Sequence, residues 1–492
     1  MAKTYLESAN TIPIYDECDI LVVGGGSAGH SAAIAAARAG NKNIILMERY
    51  GYCGGDVTGG YVLMVPKLSW HDKSFVRGLQ EEWFTRIQSI PNALLGPDLD
   101  EIGDNDPVKL LRWKAVHGCV AEGDDPYLVR ALYYEPTQLK IEMELMLLEH
   151  KDAIRVCYHS LGTKPIVEDG QVKGVIFESK EGRQAILAKT VIDATGDGDL
   201  FSRSGAPFEQ SSDKFIRSSA TALVWRIGGC DLDQYNEWCA AHPAEARDFV
   251  AGMAKTAGYQ CAPFIVAQHD LCWVNNWHRD RDCAKIKDLT ETEINTRATI
   301  RQTLDYMKRY CPVAFRDAYI YDIAPQLGAR CSRRLTGEYV MTAADWAEAR
   351  QHDDVIAWHS TICRLNDCGP VEIPYRAILP RGVENLLCPG RHMSADQIAI
   401  DWLTLIPQCV GTGQAAGVAS AVAVETGTSV RDVDIRRVQD ILVDQDVPLP
   451  RNDRVDPSYT ECCEKYHYGL DAPLAQKARA EYGSLAEYRQ KI

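Results

Sequence analysis

The stretch that decides the fold spans residues 19–60 and reads DILVVGGGSAGHSAAIAAARAGNKNIILMERYGYCGGDVTGG. Its apolar run at residues 20–23 leads directly into a glycine-rich turn. In such a turn the strand must reverse sharply and let its backbone approach a pyrophosphate. Three residues fill the glycine positions of the turn: Gly24, Gly26 and Gly29.

A helix and an acidic residue follow the turn in the order that a dinucleotide site requires. Small residues at 31–39 predict a helix that packs closely on the sheet, with its first amides facing phosphate. Glu48 ends the second strand nineteen residues after Gly29, where a carboxylate can accept hydrogen bonds from ribose hydroxyls. A glycine string alone is weak evidence, but the complete series predicts a nucleotide-binding βαβ unit.

The composition sets the class of protein. A chain of 492 residues is too long for one ordinary core, so we expect two or three structural units. Hydrophobic residues at 46% and charged residues at 25% are typical of a soluble globular protein. The formal net charge of -15 argues against a nucleic-acid partner, because such proteins concentrate Lys and Arg on one face.

The N-terminal residues and the cysteines indicate the compartment. Residues 1–17 are polar, and we expect neither a signal peptide nor a membrane-spanning segment. The 17 cysteines form no CxxC pair. We therefore expect reduced thiols in the cytoplasm and no metal site.

Organisation along the chain points to a nucleotide-binding unit that other segments interrupt. Helical periodicity at 137–150 precedes three short runs with β-branched residues, separated by turn residues, which predict an antiparallel meander. The predicted fold class is α/β, a Rossmann-like doubly wound domain with a β-meander, interrupted by an α+β substrate domain. The expected segments are 1–74 (nucleotide binding, first part), 75–133 (helical insertion), 134–207 (nucleotide binding, with the meander), 208–370 (substrate or cap domain), 371–430 (nucleotide-binding return segment) and 431–492 (C-terminal helical extension).

Several distant motifs together resemble one family of proteins. They are GGGSAG, RYGYCGGDVTGG, VIDATGDGDL, GARCSRRLTGEYVMTAADW, IPYRAILPRGVENLLCPGRHMSADQ and IPQCVGTGQAAGVAS. The chain resembles the FAD-dependent oxidoreductases with the glutathione-reductase-like flavin fold. More narrowly, it resembles a branch distantly related to fumarate reductase and succinate dehydrogenase flavoproteins, although the succinate-handling motifs of those enzymes are not recognisable here.

The resemblance implies bound FAD and a set of residues that hold it. The expected contacts are Gly24, Gly26, Gly29 and Glu48 with the adenosine, Ser27 and Ala28 with the pyrophosphate, Gly54, Gly55 and Thr58 with the rest of the dinucleotide, and Gly390, Arg391 and Asp396 with the ribityl chain. Further contacts are expected from Arg49, Ala194, Thr195, Gly196, Asp197, Gln408, Gly411 and Gly413. Independently, Pro407 suits the first turn of a helix whose positive end would stabilise a reduced flavin.

Candidate catalytic residues lie in the late motifs. Arg330 and Arg333 could orient an anionic substrate, because arginine binds carboxylates with two parallel hydrogen bonds; ion pairing between domains is an equal alternative. Tyr375 and Arg376 precede the return segment. His392, after the glycine of the CPGRH motif, is the expected acid or base, with a buried hydrogen-bonded histidine as the alternative.

The expected function is hydride transfer between flavin N5 and a small organic substrate, at a CH–CH, CH–OH or CH–NH bond. The partner is a small molecule, which can be anionic, and the electron donor or acceptor is left open because no second nucleotide domain is recognisable. A homo-oligomer is also left open. Two alternatives remain: a flavoprotein subunit that passes electrons within a larger complex, and a non-redox flavin-dependent isomerase or hydratase.

Overall fold

The computed structural model describes residues 5–7, 9–121, 125–210, 221–268, 270–279, 281–330, 332–360, 369–397 and 399–466. The first part of the chain forms β1 (Ile14–Val23), α1 (Ser27–Arg38), β2 (Ile44–Met47), β3 (Met64–Val65), β4 (Ser69–Trp70), β5 (Lys73–Ser74), α2 (Leu79–Ile87), β6 (Leu94–Leu95), α3 (Pro107–Trp113), β7 (Val120–Ala121), β8 (Tyr127–Leu128) and β9 (Leu132–Tyr134).

The middle of the chain forms α4 (Pro136–Glu149), β10 (Ile154–Cys157), β11 (Leu161–Glu168), β12 (Gln171–Ser179), β13 (Gly182–Asp193), α5 (Phe201–Ser204), β14 (Phe208–Gln210), β15 (Thr221–Ala222), β16 (Trp225–Gly228), α6 (Leu232–Ala241), α7 (Pro243–Ala257), β17 (Gln260–Ile265), β18 (Leu271–Trp277), α8 (Ile286–Tyr310), α9 (Pro312–Phe315), β19 (Tyr319–Ile323), β20 (Gly328–Ala329) and β21 (Arg333–Leu335). The last part forms α10 (Ala343–Ala347), β22 (Val355–His359), β23 (Val371–Pro374), β24 (Leu386–Leu387), α11 (Ile400–Leu403), α12 (Ile406–Thr426), α13 (Ile435–Asp444) and α14 (Ser458–Lys465).

A parallel sheet in the order β10-β2-β1-β13-β24 confirms the predicted α/β class. In β1 the apolar residues pair with β13 on one side and β2 on the other, so that Ile20 lies opposite both Thr190 and Ile44. Strands buried on both faces read as continuous apolar runs, which explains the ILVV sequence of β1.

The meander shares β13 with the parallel sheet. Strands β11, β12 and β13 pair in antiparallel fashion, with β12 on residues 182–187 of β13 and β24 on residues 191–192. The long strand therefore exchanges one partner for another along a single edge. This arrangement ends β13 at Asp193, next to the end of β1.

Two helices made of small residues cover the sheet. A Cβ placed on Gly413 of α12 would lie 2.2 Å from the carbonyl oxygen of Ala28, and one on Gly417 would lie 2.1 Å from that of Ala32. These glycines therefore let α12 contact α1 backbone to backbone. The contact brings the start of α12, far along the chain, beside the start of α1.

A second core lies in the middle of the chain. The antiparallel sheet β17-β18-β16-β19 packs with α7, α8 and α9 around buried side chains such as Trp225, Phe249 and Phe315. The segment expected as a substrate domain also supplies β22, whose Val355 and Ala357 join the main core beside α12.

The segments expected as a helical insertion and as a C-terminal helical extension differ in secondary structure. Residues 75–133, expected as a helical insertion, hold α2, α3 and several two-residue strands, and Trp83 of α2 belongs to the main core. The C-terminal segment is helical at α13 and α14, and residues 467–492 lie outside the described part. In the described residues, no helix has both the length and the apolar character needed to cross a membrane.

Candidate functional site

The first glycine of the turn has a conformation that other residues rarely adopt. Gly24 has φ +100°, and a Cβ there would lie 2.4 Å from the carbonyl oxygen of Ala194. Gly29 is tighter still, because its Cβ would lie 1.7 Å from the carbonyl oxygen of Gly24. Both glycines therefore allow β1, α1 and β13 to meet closely.

Gly26 differs from these two glycines, since it faces open space. It is the N-cap of α1 with φ −65°, and the nearest atom to an added Cβ is 4.0 Å away. No side chain caps the helix, and Gly26, Ser27 and Ala28 line a cavity of about 340 Å³. The first amides of α1 therefore form a ready site for an anion.

Glu48 is fixed by two backbone amides at the edge of this cavity. Gly25 N–H donates to Oε2 at 2.6 Å and Tyr50 N–H donates to Oε1 at 2.8 Å. Burial raises the pKa of Glu48, and the two backbone hydrogen bonds act in the opposite direction. Each oxygen keeps a second lone pair, so the carboxylate can still accept hydrogen bonds from a diol. Arg49 lines the cavity beside it.

The loop after β2 lies against the glycine turn. Gly54 N–H donates to the carbonyl oxygen of Gly25 at 2.8 Å, and Gly55 lines the cavity with φ +59°. Thr58 is fully buried and donates to the carbonyl oxygen of Cys53 at 2.5 Å. Gly54 and Thr58 therefore shape the loop from behind, while Gly55 and Asp56 present its surface to the cavity.

The loop after β13 is organised by a buried aspartate. Asp193 accepts four hydrogen bonds, from the backbone and hydroxyl of Thr195 and from the backbone of Leu200 and Phe201. This holds a turn in which four predicted residues line the cavity: Ala194, Thr195, Gly196 and Asp197.

Asp197 makes the strongest ionic contacts of that turn. Arg391 lies 2.9 Å from its Oδ1, and Ser332 Oγ donates to the same oxygen at 2.6 Å. Burial alone would raise the pKa of Asp197, but Arg391 and Ser332 outweigh burial and lower it. The carboxylate therefore stays charged and holds Arg391 across the cavity.

The return segment closes the cavity from the other side. Gly390 has φ +99° and donates its N–H to Thr412 Oγ1 at 3.1 Å, and Pro389 and Arg391 line the cavity beside it. Thr404 and Ile406, where α12 begins, also line the cavity. The Thr404 hydroxyl is buried and has no partner among the described residues, as expected of a group that meets a ligand.

Sequence reasoning missed two parts of the lining. Ser160, Leu161 and Gly162 come from the start of the meander, where the turn before β11 was the only signal. The other part comes from the segment expected as a substrate domain, and only its last residue lies in a quoted motif: Cys283, Leu289, Thr290, Glu293, Gln326, Leu327 and Ala329.

Besides Gly29, Gly54 and Thr58, four further residues expected to contact the cofactor lie outside the lining. Asp396 accepts the N–H of Ala399 at 2.7 Å at the start of α11, and Gln408 Nε2 donates to the carbonyl oxygen of Ser360 at 3.2 Å. Gly411 and Gly413 pack against neighbouring elements of the fold, the first against His359 and the second against α1. These four residues position the return segment rather than facing the cavity.

Of the catalytic candidates, the two arginines after β20 interact with residues that line the cavity. Arg333 Nη1 donates to Asp197 O at 2.9 Å and lies 3.0 Å from Asp199 Oδ1. The positive charge of Arg330 acts on Asp56, which lines the cavity.

The other three candidates lie apart from the cavity. Tyr375 is buried and donates its hydroxyl to Val430 O at 2.6 Å. Arg376 forms an ion pair with Asp354 at 2.9 Å. His392 is fully buried, with Nε2 2.9 Å from the carbonyl oxygen of Asp193.

The cavity therefore combines an open helix N-terminus, a fixed carboxylate, two arginines and the start of a second helix. Residues 19–442 match the family model described as FAD dependent oxidoreductase. The chain belongs to the FAD-dependent oxidoreductase family. The protein is an FAD-dependent oxidoreductase enzyme, and FAD is its cofactor.

The residues present in this oxidoreductase fit FAD. The α1 amides beside Gly26, with Arg49 and Arg391, suit the two negative charges of a pyrophosphate, and Glu48 suits a ribose. No side chain caps α12, and Pro407 in its first turn leaves its amides for a polar edge such as that of a flavin.

The chain is also similar to one relative and to two solved structures. A urocanate reductase from Eggerthella lenta is 32% identical over 102 residues, which are 19% of this chain and 14% of that enzyme. A geranylgeranyl bacteriochlorophyll reductase-like protein from Thermoplasma acidophilum is 15% identical, with 97% of this chain and 99% of that chain covered and a TM-score of 0.43. A p-nitrophenol 4-monooxygenase from Pseudomonas putida is 12% identical, with 96% of this chain and 99% of that chain covered and a TM-score of 0.46. The chain thus covers far less than two thirds of the urocanate reductase.

Proposed function

We propose that this oxidoreductase transfers a hydride between N5 of bound FAD and a small organic substrate, at a CH–CH, CH–OH or CH–NH bond. One observation carries the proposal: residues of the segment expected as a substrate domain, among them Glu293 and Gln326, line the same cavity that the FAD-binding segments line. A small molecule between these two parts would meet the reactive end of the cofactor. Bound FAD supplies the chemistry of a two-electron hydride donor or acceptor.

An anionic substrate suits the charges at this end of the cavity. Arg330 acts electrostatically on Asp56, and so lies near a residue that lines the cavity. Arg333 is engaged by Asp197 and Asp199. From its electrostatic effect on Asp56 we assign the orientation of a substrate carboxylate to Arg330, and we assign Arg333 to holding the loop after β13 in place.

The acid or base is a separate question. His392 remains a sequence-based prediction, but its Nε2 lies 2.9 Å from a backbone carbonyl oxygen and its ring packs on Phe201. This position orders the end of β13. Tyr375 and Arg376, likewise, are engaged with Val430 and Asp354.

Three wider properties belong to the same proposal. Kinship with the fumarate reductase branch rests on the sequence motifs. A reducing, cytoplasmic location is supported by the described cysteines with free thiols, most of which are buried. Assembly into a homo-oligomer stays a prediction.

Anaerobic titration of the purified holoenzyme tests the proposed reaction. A panel of small carboxylates, alcohols and amines is added while the visible flavin spectrum is recorded, followed by NADH and NADPH. Bleaching by an organic compound, with formation of one equivalent of its oxidised product, is the expected result. If the flavin is photoreduced first, reoxidation by an unsaturated acid would establish the reductive direction. A flavin that responds to no organic compound in either state would overturn the proposal.

Arg330 has its own test in the same assay. Arg330→Gln is expected to raise the concentration of an anionic substrate needed for half-maximal bleaching by about 10- to 100-fold, because one or two charge-assisted hydrogen bonds are lost. Arg155→Gln, which removes an exposed arginine paired with Asp16, serves as the matched control. An unchanged substrate requirement in Arg330→Gln would remove Arg330 from the site.

A further inference from the structure

Asp56 lies where the FAD-binding loop meets the second core. It lines the cavity, and its Oδ1 is 2.8 Å from a Cβ built on Gly60 and 3.8 Å from one built on Gly328 of β20. The absence of a side chain at Gly60 leaves room for the carboxyl group, and Gly328 lies at ordinary contact distance from it. Asp56 is thus a carboxyl group between the cofactor-binding segments and the elements that would cover a substrate.

The groups around Asp56 come from several elements and carry both signs of charge. Burial raises the pKa of Asp56; Arg391 and Arg330 oppose that effect, and Asp197 adds to it. Cys409 of α12 and Tyr134 of β9 also interact electrostatically with Asp56, and burial is the main reason that the pKa of each is raised. Such a setting favours a carboxyl group with a raised pKa that can both gain and lose a proton, as acid and base catalysts do.

A neighbouring glutamine holds the carboxyl group in position. Tyr52 donates its hydroxyl to Gln326 Oε1 at 3.1 Å, which fixes the amide so that Nε2 faces Asp56 Oδ1 at 3.5 Å. A Cβ on Gly59 would lie 2.5 Å from both the Tyr52 hydroxyl and Gln326 Oε1, so only glycine allows this pair to form. Gln326 also lines the cavity, which aligns the amide and the carboxyl group along one wall.

We propose that Asp56 is the catalytic acid and base of the oxidoreductase, and that Gln326, fixed by Tyr52, is its positioning residue. This inference rests on the proposed function, because it assigns the proton transfer of the same reaction. It replaces His392, which does not line the cavity.

The proton transfer is balanced as follows. In the oxidative direction the Asp56 carboxylate takes a proton from a substrate O–H, N–H or activated C–H bond, so that a carboxyl O–H bond forms. The electron pair of the broken bond stays on the substrate, where it forms the new double bond as a hydride leaves the neighbouring carbon for the cofactor. In the reductive direction the protonated carboxyl group returns the proton to the substrate atom next to the one that gains the hydride.

The variant Asp56→Asn tests the assignment with two kinds of measurement. In the protein freed of FAD, infrared difference spectra recorded above the pH at which ordinary exposed carboxyl groups are ionised should lose the carbonyl band of one carboxylic acid, because burial raises the pKa of Asp56. In the holoenzyme, flavin bleaching by the substrate found for the wild type should slow by about 100-fold or more. FAD affinity should stay within about threefold of the wild type. Asp16→Asn, at an exposed ion pair with Arg155, is the matched control and should change none of these values.

Gln326→Leu tests the same assignment with Asp56 intact, should the first variant fail to fold. The amide lowers the pKa of Asp56. Its loss should therefore move the acidic limb of the pH profile of bleaching to higher pH, whereas a merely structural role would lower the rate equally at all pH values.

Three results would overturn the inference. One is bleaching of Asp56→Asn at the wild-type rate. Another is a large loss of FAD affinity in this variant with the pH profile of bleaching unchanged, since Asp56 would then be a cofactor ligand only. The third is a pH profile that does not move in Gln326→Leu. If no compound bleaches the wild type, the proposed function is wrong and the assignment of Asp56 is wrong with it. In the other three results the wild type is bleached, so only the assignment of Asp56 is wrong.

Discussion

Two glycines of one motif should respond to the same substitution in opposite ways. Gly24→Ala places a Cβ at φ +100° and 2.4 Å from the carbonyl oxygen of Ala194. The left-handed conformation costs about 1–2 kcal/mol and the forced separation of β1 from β13 about 1–3 kcal/mol. We therefore expect the free energy of unfolding to fall by about 2–5 kcal/mol even without FAD.

Gly26→Ala should leave the FAD-free protein nearly unchanged. Its φ of −65° is ordinary, and the new Cβ would have its nearest neighbour at 4.0 Å. The methyl group would instead occupy the space in front of the α1 amides, where the pyrophosphate is expected. Displacing one or two charge-assisted hydrogen bonds, at about 1.5–3 kcal/mol each, weakens FAD binding by roughly 10- to 10,000-fold.

Urea unfolding of the FAD-free protein and fluorescence titration with FAD separate these effects. Gly24→Ala should lower the urea midpoint, and Gly26→Ala should keep the midpoint while losing affinity. The reasoning would be refuted if Gly26→Ala lowered the midpoint as much as Gly24→Ala, or if it bound FAD as tightly as the wild type.

Further predictions concern buried polar groups. Arg130 and Glu81 form a buried ion pair at 2.5 Å, so Glu81→Ala should cost about 3–5 kcal/mol in urea unfolding, and adding Arg130→Met should recover part of that loss. Asp193→Asn places an amide N–H₂ group against backbone donors, so it should cost about 1–3 kcal/mol and weaken FAD binding; equal stability and affinity would contradict this role. Burial lowers the pKa of His30 to about 4, below the value of about 6.5 expected in the unfolded chain. The free energy of unfolding should therefore decrease as pH falls from about 6.5 to 4, by up to about 3 kcal/mol. His30→Gln should flatten that pH dependence of the urea midpoint, and an equally steep decline would show that other groups cause it.

The sequence predicted the FAD-binding framework well because backbone geometry demands particular residues there. The left-handed Gly24, the small residues of α1 and α12, and the turn after Asp193 each leave a local signal. The helix expected to have Pro407 in its first turn is α12, and the helix expected at 137–150 is α4, whose boundaries differ from the expected ones by one residue.

The rest of the site could not be predicted, because it is formed by packing between distant segments. Thr290 and Glu293 enter the cavity from α8, and no motif near them in the sequence marks a site. Gln326 lies just before the GARCSRRLTGEYVMTAADW motif, but nothing in that motif indicated that Gln326 lines the cavity. His392 follows a diagnostic glycine, yet the side chain turns back toward the end of β13. The cofactor motif therefore predicted where the backbone of His392 lies, but it did not predict the direction of its side chain.

The order of the cavity-lining segments along the chain has a consequence for biosynthesis. The lining starts at Val23 and is complete only at Cys409. At roughly 5–20 residues per second, translation takes about 20–80 s to reach that cysteine. Until then a nascent chain exposes the glycine turn and the sheet without β24 and α12, which cover them. Cofactor loading should therefore follow synthesis of most of the chain, and a ribosome stalled before α12 should carry a nascent chain that captures no flavin.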